Sequence, residues 1–211
     1  MYYREASNQY INDGMSFTID GTTYPAEVLR DASAEVLQSF GLELVVATNE
    51  PANRNFYNVT EEYNGAAVTY INTPMDLAGI RERLWTQIKN HRDYLQESGV
   101  KIGDHWFHND VKSRTQWERM ATRSAGTPDE APYLIGGTQV PWQVMGGDSV
   151  LLTTGKIKEV VNGMELNEAI IFNTAKVKRA AIANMTIEQL EAYKVLDGFP
   201  EEYVDEALIQ P

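Results

Sequence analysis

An α+β fold, with a small β-rich N-terminal region followed by a mainly helical domain carrying a small β-hairpin, is predicted by three features of the sequence. Before residue 72, two turn dipeptides lie between runs of β-branched and aromatic residues. After it come two long stretches whose apolar residues recur every three or four positions. Between those stretches sits GVKIGDHWFHNDVKSRTQW, residues 99–117, an aromatic run bounded by glycines.

The first turn is Asp20-Gly21 in MSFTI-DG-TTYPA, a pair that accepts positive φ and suits a type I′ hairpin between Phe17, Ile19 and Thr22, Thr23, Tyr24. Pro25 starts a short helical stretch with Val28, Leu29, Val36, Leu37 and Phe40 as its apolar positions, Gly41 stops it, and LELVV reads as a strand. The second turn is Asn64-Gly65, with Tyr57, Val59 and Tyr63 on one face before it and Val68 and Tyr70 after it. Residues 1–72 thus read as a β-rich N-terminal region with one small helical stretch.

The pattern changes at Asn72-Thr73-Pro74. Thr73 suits an N-cap, Pro74 the first helical position and Asp76 the positive end of the helix dipole. The helix is expected to run to about Glu97, with Leu77, Ile80, Leu84, Ile88, His91 and Leu95 on one side, and to close at Gly99. A hairpin turning at Gly103-Asp104 follows. Ser113 and Gln116 then read as a capping box for a helix with Trp117, Met120 and Ala121 on one face, ending near Gly126. Residues 127–149 read as irregular strands or a long loop around Trp142. From Thr154 to about Asn184 a second stripe runs through Ile157, Val160, Val161, Met164, Ile171, Ala175 and Ile182; Gly163, costing about 1 kcal/mol relative to alanine, marks a point where it could break. Thr186 and Gln189 form a capping box for a last helix, with Met185 and Leu190 as its hydrophobic staple. The α-rich domain spans 73–199, and 200–211 is an acidic tail with Tyr203, Val204, Leu208 and Ile209 available for docking.

Composition narrows the partners. Thirty acidic against eighteen basic residues give a net charge of −12, so a phosphate backbone is repelled by the average surface and nucleic acid is not an expected partner. With no cysteine there is no disulfide or thiolate chemistry, which fits synthesis in a reducing cytoplasm. The start, MYYREASNQYINDG, lacks the pattern of a secretory signal, and no apolar run reaches membrane-spanning length. With 43% apolar residues the chain can build a packed interior.

Signals for catalysis are weak. His105 and His108, with Asp104, Asn109 and Asp110 nearby, could be imagined around a metal, but an odd separation on a strand sends the two imidazoles to opposite faces. Packing and rim positions are the preferred reading, with Trp106, Phe107, Trp117 and Trp142 as structural residues and His91 as a core or interface histidine. Glu61-Glu62 and Asp129-Glu130 are acidic pairs of the kind any solvated surface carries. There is no Gly-x-Ser-x-Gly elbow and no phosphate-binding glycine loop. No catalytic residue, metal or cofactor is expected.

The pattern Gly99-Val100, Trp106-Phe107-His108, Asp110, Ser113-Arg114 resembles the signature of a domain-of-unknown-function family found in tailed-bacteriophage tail-fibre and baseplate proteins. Its order continues on both sides: a long helix before, PWQVMGGDSVLLT at 141–153, the helical run to Asn184 and the Thr186 cap, so the resemblance covers about 76–199. Separately, FTIDGTTYPAEVLRDASAEVLQSFGL resembles a short N-terminal module of phage tail proteins, a hairpin, Tyr-Pro and a small helix. Such modules carry a tryptophan soon after the proline, where this chain has Glu27-Val28.

The two resemblances imply a structural component of the virion, at the baseplate or where fibres join the tail, made in the host cytoplasm and bound to other tail proteins. Trp106, Phe107 and Ser113-Arg114 would hold the C-terminal domain together, with Arg114 paired to Asp110 or another acid. Tyr24 and Pro25, and Leu77, Leu84, His91 and Leu95 along the first stripe, are candidate contacts with partners or further copies. A homo-oligomer, with a trimer as one arrangement, is expected from the extra apolar surface of the two stripes. Asn8 to Met15 and the strand 42–47 are candidate edges for a partner strand. Two alternatives are a tail-fibre assembly chaperone missing from the mature virion and a carbohydrate-active or metal-dependent enzyme acting on the host surface.

Overall fold

The computed structural model describes residues 1–139 and 141–205, so Leu208 and Ile209 lie outside it; the chain divides into two units, Met1–Leu77 and Ala78–Pro211. The α+β class is as predicted, small antiparallel hairpins first and long helices after them.

The first unit contains β1 (Tyr2–Arg4), β2 (Gln9–Ile11), β3 (Phe17–Ile19), β4 (Thr22–Tyr24), α1 (Glu27–Arg30), α2 (Ala34–Ser39), β5 (Leu42–Leu44), β6 (Val46–Ala47), β7 (Tyr57–Asn64) and β8 (Ala67–Pro74). The β3–β4 hairpin turns at Asp20-Gly21 with φ of 50° and 82°, both positive as a type I′ turn requires. The longer β7–β8 hairpin turns one residue later than Asn64-Gly65: Asn64 still pairs with Ala67, leaving Gly65-Ala66 as the loop. LELVV does not form one strand. It splits into β5, the outer strand of a sheet ordered β2-β1-β5, and β6, which pairs in parallel with β8 in the order β6-β8-β7. Ile11, Phe17, Ile19, Leu29 and Leu42 are buried together, and Tyr24 packs on them, its ring 5.3 Å from Phe17 and 5.0 Å from Phe40. Tyr24 is therefore committed to the unit's own interior, while Pro25 is exposed.

Thr73 and Pro74 do not cap a helix. They are the last residues of β8, opposite Asn58 and Tyr57, and α3 (Leu77–Glu97) begins after them. The pairing of two eight-residue strands outweighs a local cap.

The second unit continues with β9 (Val100–Ile102), β10 (His105–Phe107), α4 (Val111–Arg123), β11 (Leu134–Ile135), β12 (Thr138–Gln139), β13 (Pro141–Gln143), β14 (Ser149–Leu151), α5 (Thr154–Ala183) and α6 (Ile187–Ala192). The β9–β10 hairpin turns at Gly103-Asp104, and α6 has its Thr186–Gln189 capping box, both as predicted. The region predicted as irregular, 127–149, carries two short hairpins, β11–β12 and β13–β14, the second ending at Leu151.

The axis of the unit is α5, thirty residues and about 45 Å long. Along its second half α3 runs antiparallel: Arg81 donates to the Met185 carbonyl, Arg179 lies over the Trp85 ring, Arg92 over Phe172, and Gln96 donates to Glu168. Along its first half lie α4 and the β9–β10 hairpin. Most of both predicted stripes is buried inside the unit, Ile80, Leu84, Ile88 and Leu95 from α3 and Ile157, Val160, Met164, Ile171, Ala175 and Ile182 from α5.

The helix does not break at Gly163. A Cβ there would stand 2.0 Å from Ile102 Cδ1, so the glycine admits the hairpin against the helix. Gly163→Ala gains about 1 kcal/mol of helix propensity but thrusts a methyl into buried Ile102, at a typical overpacking cost of about 1–3 kcal/mol. The expected result is a less stable protein by urea denaturation, and a smaller penalty for the same change in an Ile102→Ala background.

Candidate functional site

Residues 99–117 converge on the interior of the second unit. Phe107 closes β10 and Trp117 lies in the second turn of α4; both side chains are 0% exposed, with ring centroids 5.6 Å apart at 79°. Trp142 on β13 meets Trp117 from the other side at 4.7 Å. Val100, Ile102, Met120, Val144, Leu152, Ile157, Val160 and Met164 fill the space around them. Three of the predicted packing residues are thus brought into one cluster, a geometry worth about 0.5–1.5 kcal/mol per aromatic pair beyond area burial. Trp106 points elsewhere. It is half-buried, edge-on to Tyr203 at 5.9 Å, and lines a groove of about 330 Å³ with Val100, Ile102, Leu166 and Pro200.

Around the aromatic cluster runs a chain of polar contacts. Arg114 donates from Nη1 to Glu168 Oε2 at 2.7 Å and from Nε to both the carbonyl and Oδ1 of Asn109, at 3.1 and 3.0 Å. Asn109, 1% exposed, donates to the Gln96 carbonyl, and the Gln96 side chain returns to Glu168. The four residues tie the end of α3, the loop after β10, α4 and the middle of α5. Arg114's acid is therefore Glu168, not Asp110. No local spacing signals this partner, because Glu168 lies on a helix far along the chain. Arg114 Nη2 and Trp117 Nε1 are buried donors without a hydrogen-bond partner among the described residues, and both residues line a cavity of about 70 Å³ together with Glu118, Met164 and Glu165.

Ser113 is not the N-cap of α4; Asp110 is. Its carboxylate accepts the N–H groups of Lys112 and Ser113 at 2.9 and 3.1 Å and the Ser113 hydroxyl at 2.7 Å. An aspartate three residues earlier satisfies the orphan donors first, so Ser113 sits inside the helix and Gln116 is exposed. The Ser113 hydroxyl, then the Ser113 and Lys112 N–H groups and the charge of His108, hold the Asp110 carboxyl below its ordinary range against the opposing effect of burial. A depressed folded value means the stabilisation is complete above the unfolded value of about 4 and fades as pH falls through the folded one. Asp110→Ala is expected to cost about 1 kcal/mol at neutral pH, with the gap to the unsubstituted protein closing on acidification, as read by urea denaturation at several pH values.

The other candidates scatter. Leu84 and Leu95 are buried and cannot meet a partner, and Leu77 is half-buried at the start of α3. His91 is half-buried between the rings of Phe199 and Tyr94, at 5.0 and 6.3 Å. His105 is half-buried on β10, and Asp104 and His108 are exposed beside it. Among the described residues there is no group of three or more histidine or carboxylate side chains placed to hold a metal ion. Glu61 accepts the Tyr63 hydroxyl, and Asp129 pairs with Lys158 at 2.6 Å. No described helix is long and apolar enough to cross a membrane.

The segment that carries the aromatic cluster, the Arg114 clasp and α5 is also the one that matches a known family: residues 79–195 match the family described as "Domain of unknown function (DUF4376)". The chain belongs to the DUF4376 family. Comparison with curated proteins and with solved structures gives no match. The DUF4376 segment starts within α3 and ends just past α6, so it holds every member of the aromatic cluster and of the Arg114 network.

Proposed function

We propose that this chain is a structural component of a bacteriophage tail, a baseplate or tail-fibre adaptor that joins tail components through protein contacts. The reading rests on the two sequence resemblances, and one structural observation favours it: the first unit has edge strands with exposed apolar side chains. Leu44 on β5 and Val46 on β6 are each 58% exposed, and both strands are outermost in their sheets; β2, within the predicted Asn8–Met15 segment, is likewise an outer strand. Free backbone groups on such an edge can take a partner's strand, while the side chains select it. The DUF4376 unit is the second grip, held rigid by its interior. In this reading the chain works by binding alone, with no cofactor and no nucleic acid, and it self-associates in the assembled tail.

Leu44→Lys with Val46→Lys places charge on both edges at exposed positions. Stability is expected to change by no more than about 0.5 kcal/mol per site, while the chain no longer enters particles. A protein that still assembles with both charges in place refutes the edge as the grip. Residues 78–211, expressed without the first unit, are expected to give a cooperative unfolding transition and to be missing from particles.

A further inference from the structure

Both stripes read as self-association surfaces are used inside the unit, but one face of α5 is not. Leu166, Ile170 and Val177 are 63, 44 and 59% exposed, and with Asn173 and Ala180 between and after them they recur at spacings of four, three, four and three. That is the 3.5-residue spacing of a coiled-coil seam, held here over two heptads. It starts just past Gly163, where the β9–β10 hairpin covers the helix, and runs to the helix end. From Ala169 to Asn184 there is no acidic residue, in a chain that carries thirty. Copies with a net charge of −12 repel one another over most of their surface; on this face they do not.

We propose that this face is the seam of a parallel, in-register two-stranded coiled coil with α5 of a second copy of this chain. The proposal rests on the self-association included in the proposed function and names its surface. Asn173 sets the direction. In a parallel pair it lies opposite its own counterpart, where two amides can bond each other; in an antiparallel pair it faces Ile170 or Val177 and its amide is left unpaired. β-branched Ile170 and Val177 at one core position, with Leu166 at the other, favour two strands. Lys176 flanks the seam, and in the parallel register it faces Thr174 and Ala181 of the other copy's helix rather than a second lysine. The free seam is about 27 Å long and buries on the order of 1,000 Å², near the lower bound for a specific interface. Association is therefore concentration-dependent. The groove beside Leu166 and Ile170, floored by Trp106 and Pro200, offers further apolar surface to the same partner.

Sedimentation velocity on the full chain over a dilution series is expected to show a monomer–dimer equilibrium. Val177→Asp, and independently Leu166→Asp, should weaken it by about a hundredfold with unchanged helical circular dichroism. The protein has no cysteine, so Asn173→Cys reports register directly: mild oxidation should link it to its own counterpart. A monomer at every concentration overturns the seam and the self-association together. A dimer that survives both aspartates, with Asn173→Cys unlinked, leaves self-association standing and overturns the seam. Linkage only in a mixture of Ile170→Cys and Asn173→Cys chains means antiparallel helices and overturns the parallel register.

Discussion

Trp117→Ala is expected to lower the stability of the second unit by about 3–5 kcal/mol, the largest effect of any single substitution considered. The ring is fully buried between Phe107 and Trp142, and its removal takes away two ring contacts as well as apolar area. Trp106→Ala should cost clearly less, because that ring is half-buried at a groove and its neighbour is Tyr203. All four tryptophans, Trp85, Trp106, Trp117 and Trp142, lie in the second unit. Tryptophan fluorescence during urea denaturation therefore reads that unit without interference from the first, and a Trp117→Ala midpoint equal to the parent's would show that the aromatic cluster is not the unit's core.

Arg114→Ala comes second, at about 2–4 kcal/mol. It strips Glu168 of its cation and leaves the Oδ1 of an almost fully buried Asn109 without a donor. The ion pair itself is partly solvated, with side chains 24 and 36% exposed, which keeps the loss below that of a fully buried pair. Arg114→Lys should recover little of it, since a single ammonium cannot reach both Glu168 and Asn109 as the guanidinium does. The check is a double-mutant cycle with Glu168→Gln: coupling of more than about 1 kcal/mol confirms the clasp, and additive losses refute it.

What was legible in the sequence was local. The Asp20-Gly21 and Gly103-Asp104 turns and the Thr186–Gln189 box are each decided within a few residues, so their chemistry could be read directly. Apart from the cap at Ser113, which Asp110 takes from three residues away, the sequence misleads where a distant segment wins. Thr73-Pro74 looks like a helix start until β7 is placed opposite it, and Gly163 looks like a break until Ile102 is placed against it. Three-residue strands such as β1 and β2 carry too few side chains to show a period at all. The aromatic cluster was legible as packing because Phe107, Trp117 and Trp142 are large and apolar. The Arg114–Glu168 pair was not, since a charge names its partner's sign and nothing about its place in the chain.

If the chain is, as proposed, a permanent piece of a tail, the most direct test is quantitative mass spectrometry of tail particles purified from cells that make it. Peptides of this chain at a fixed, small-integer ratio to the other tail proteins are the predicted result. Its abundance in the infected-cell lysate together with its absence from mature particles would contradict the account and assign it to assembly instead.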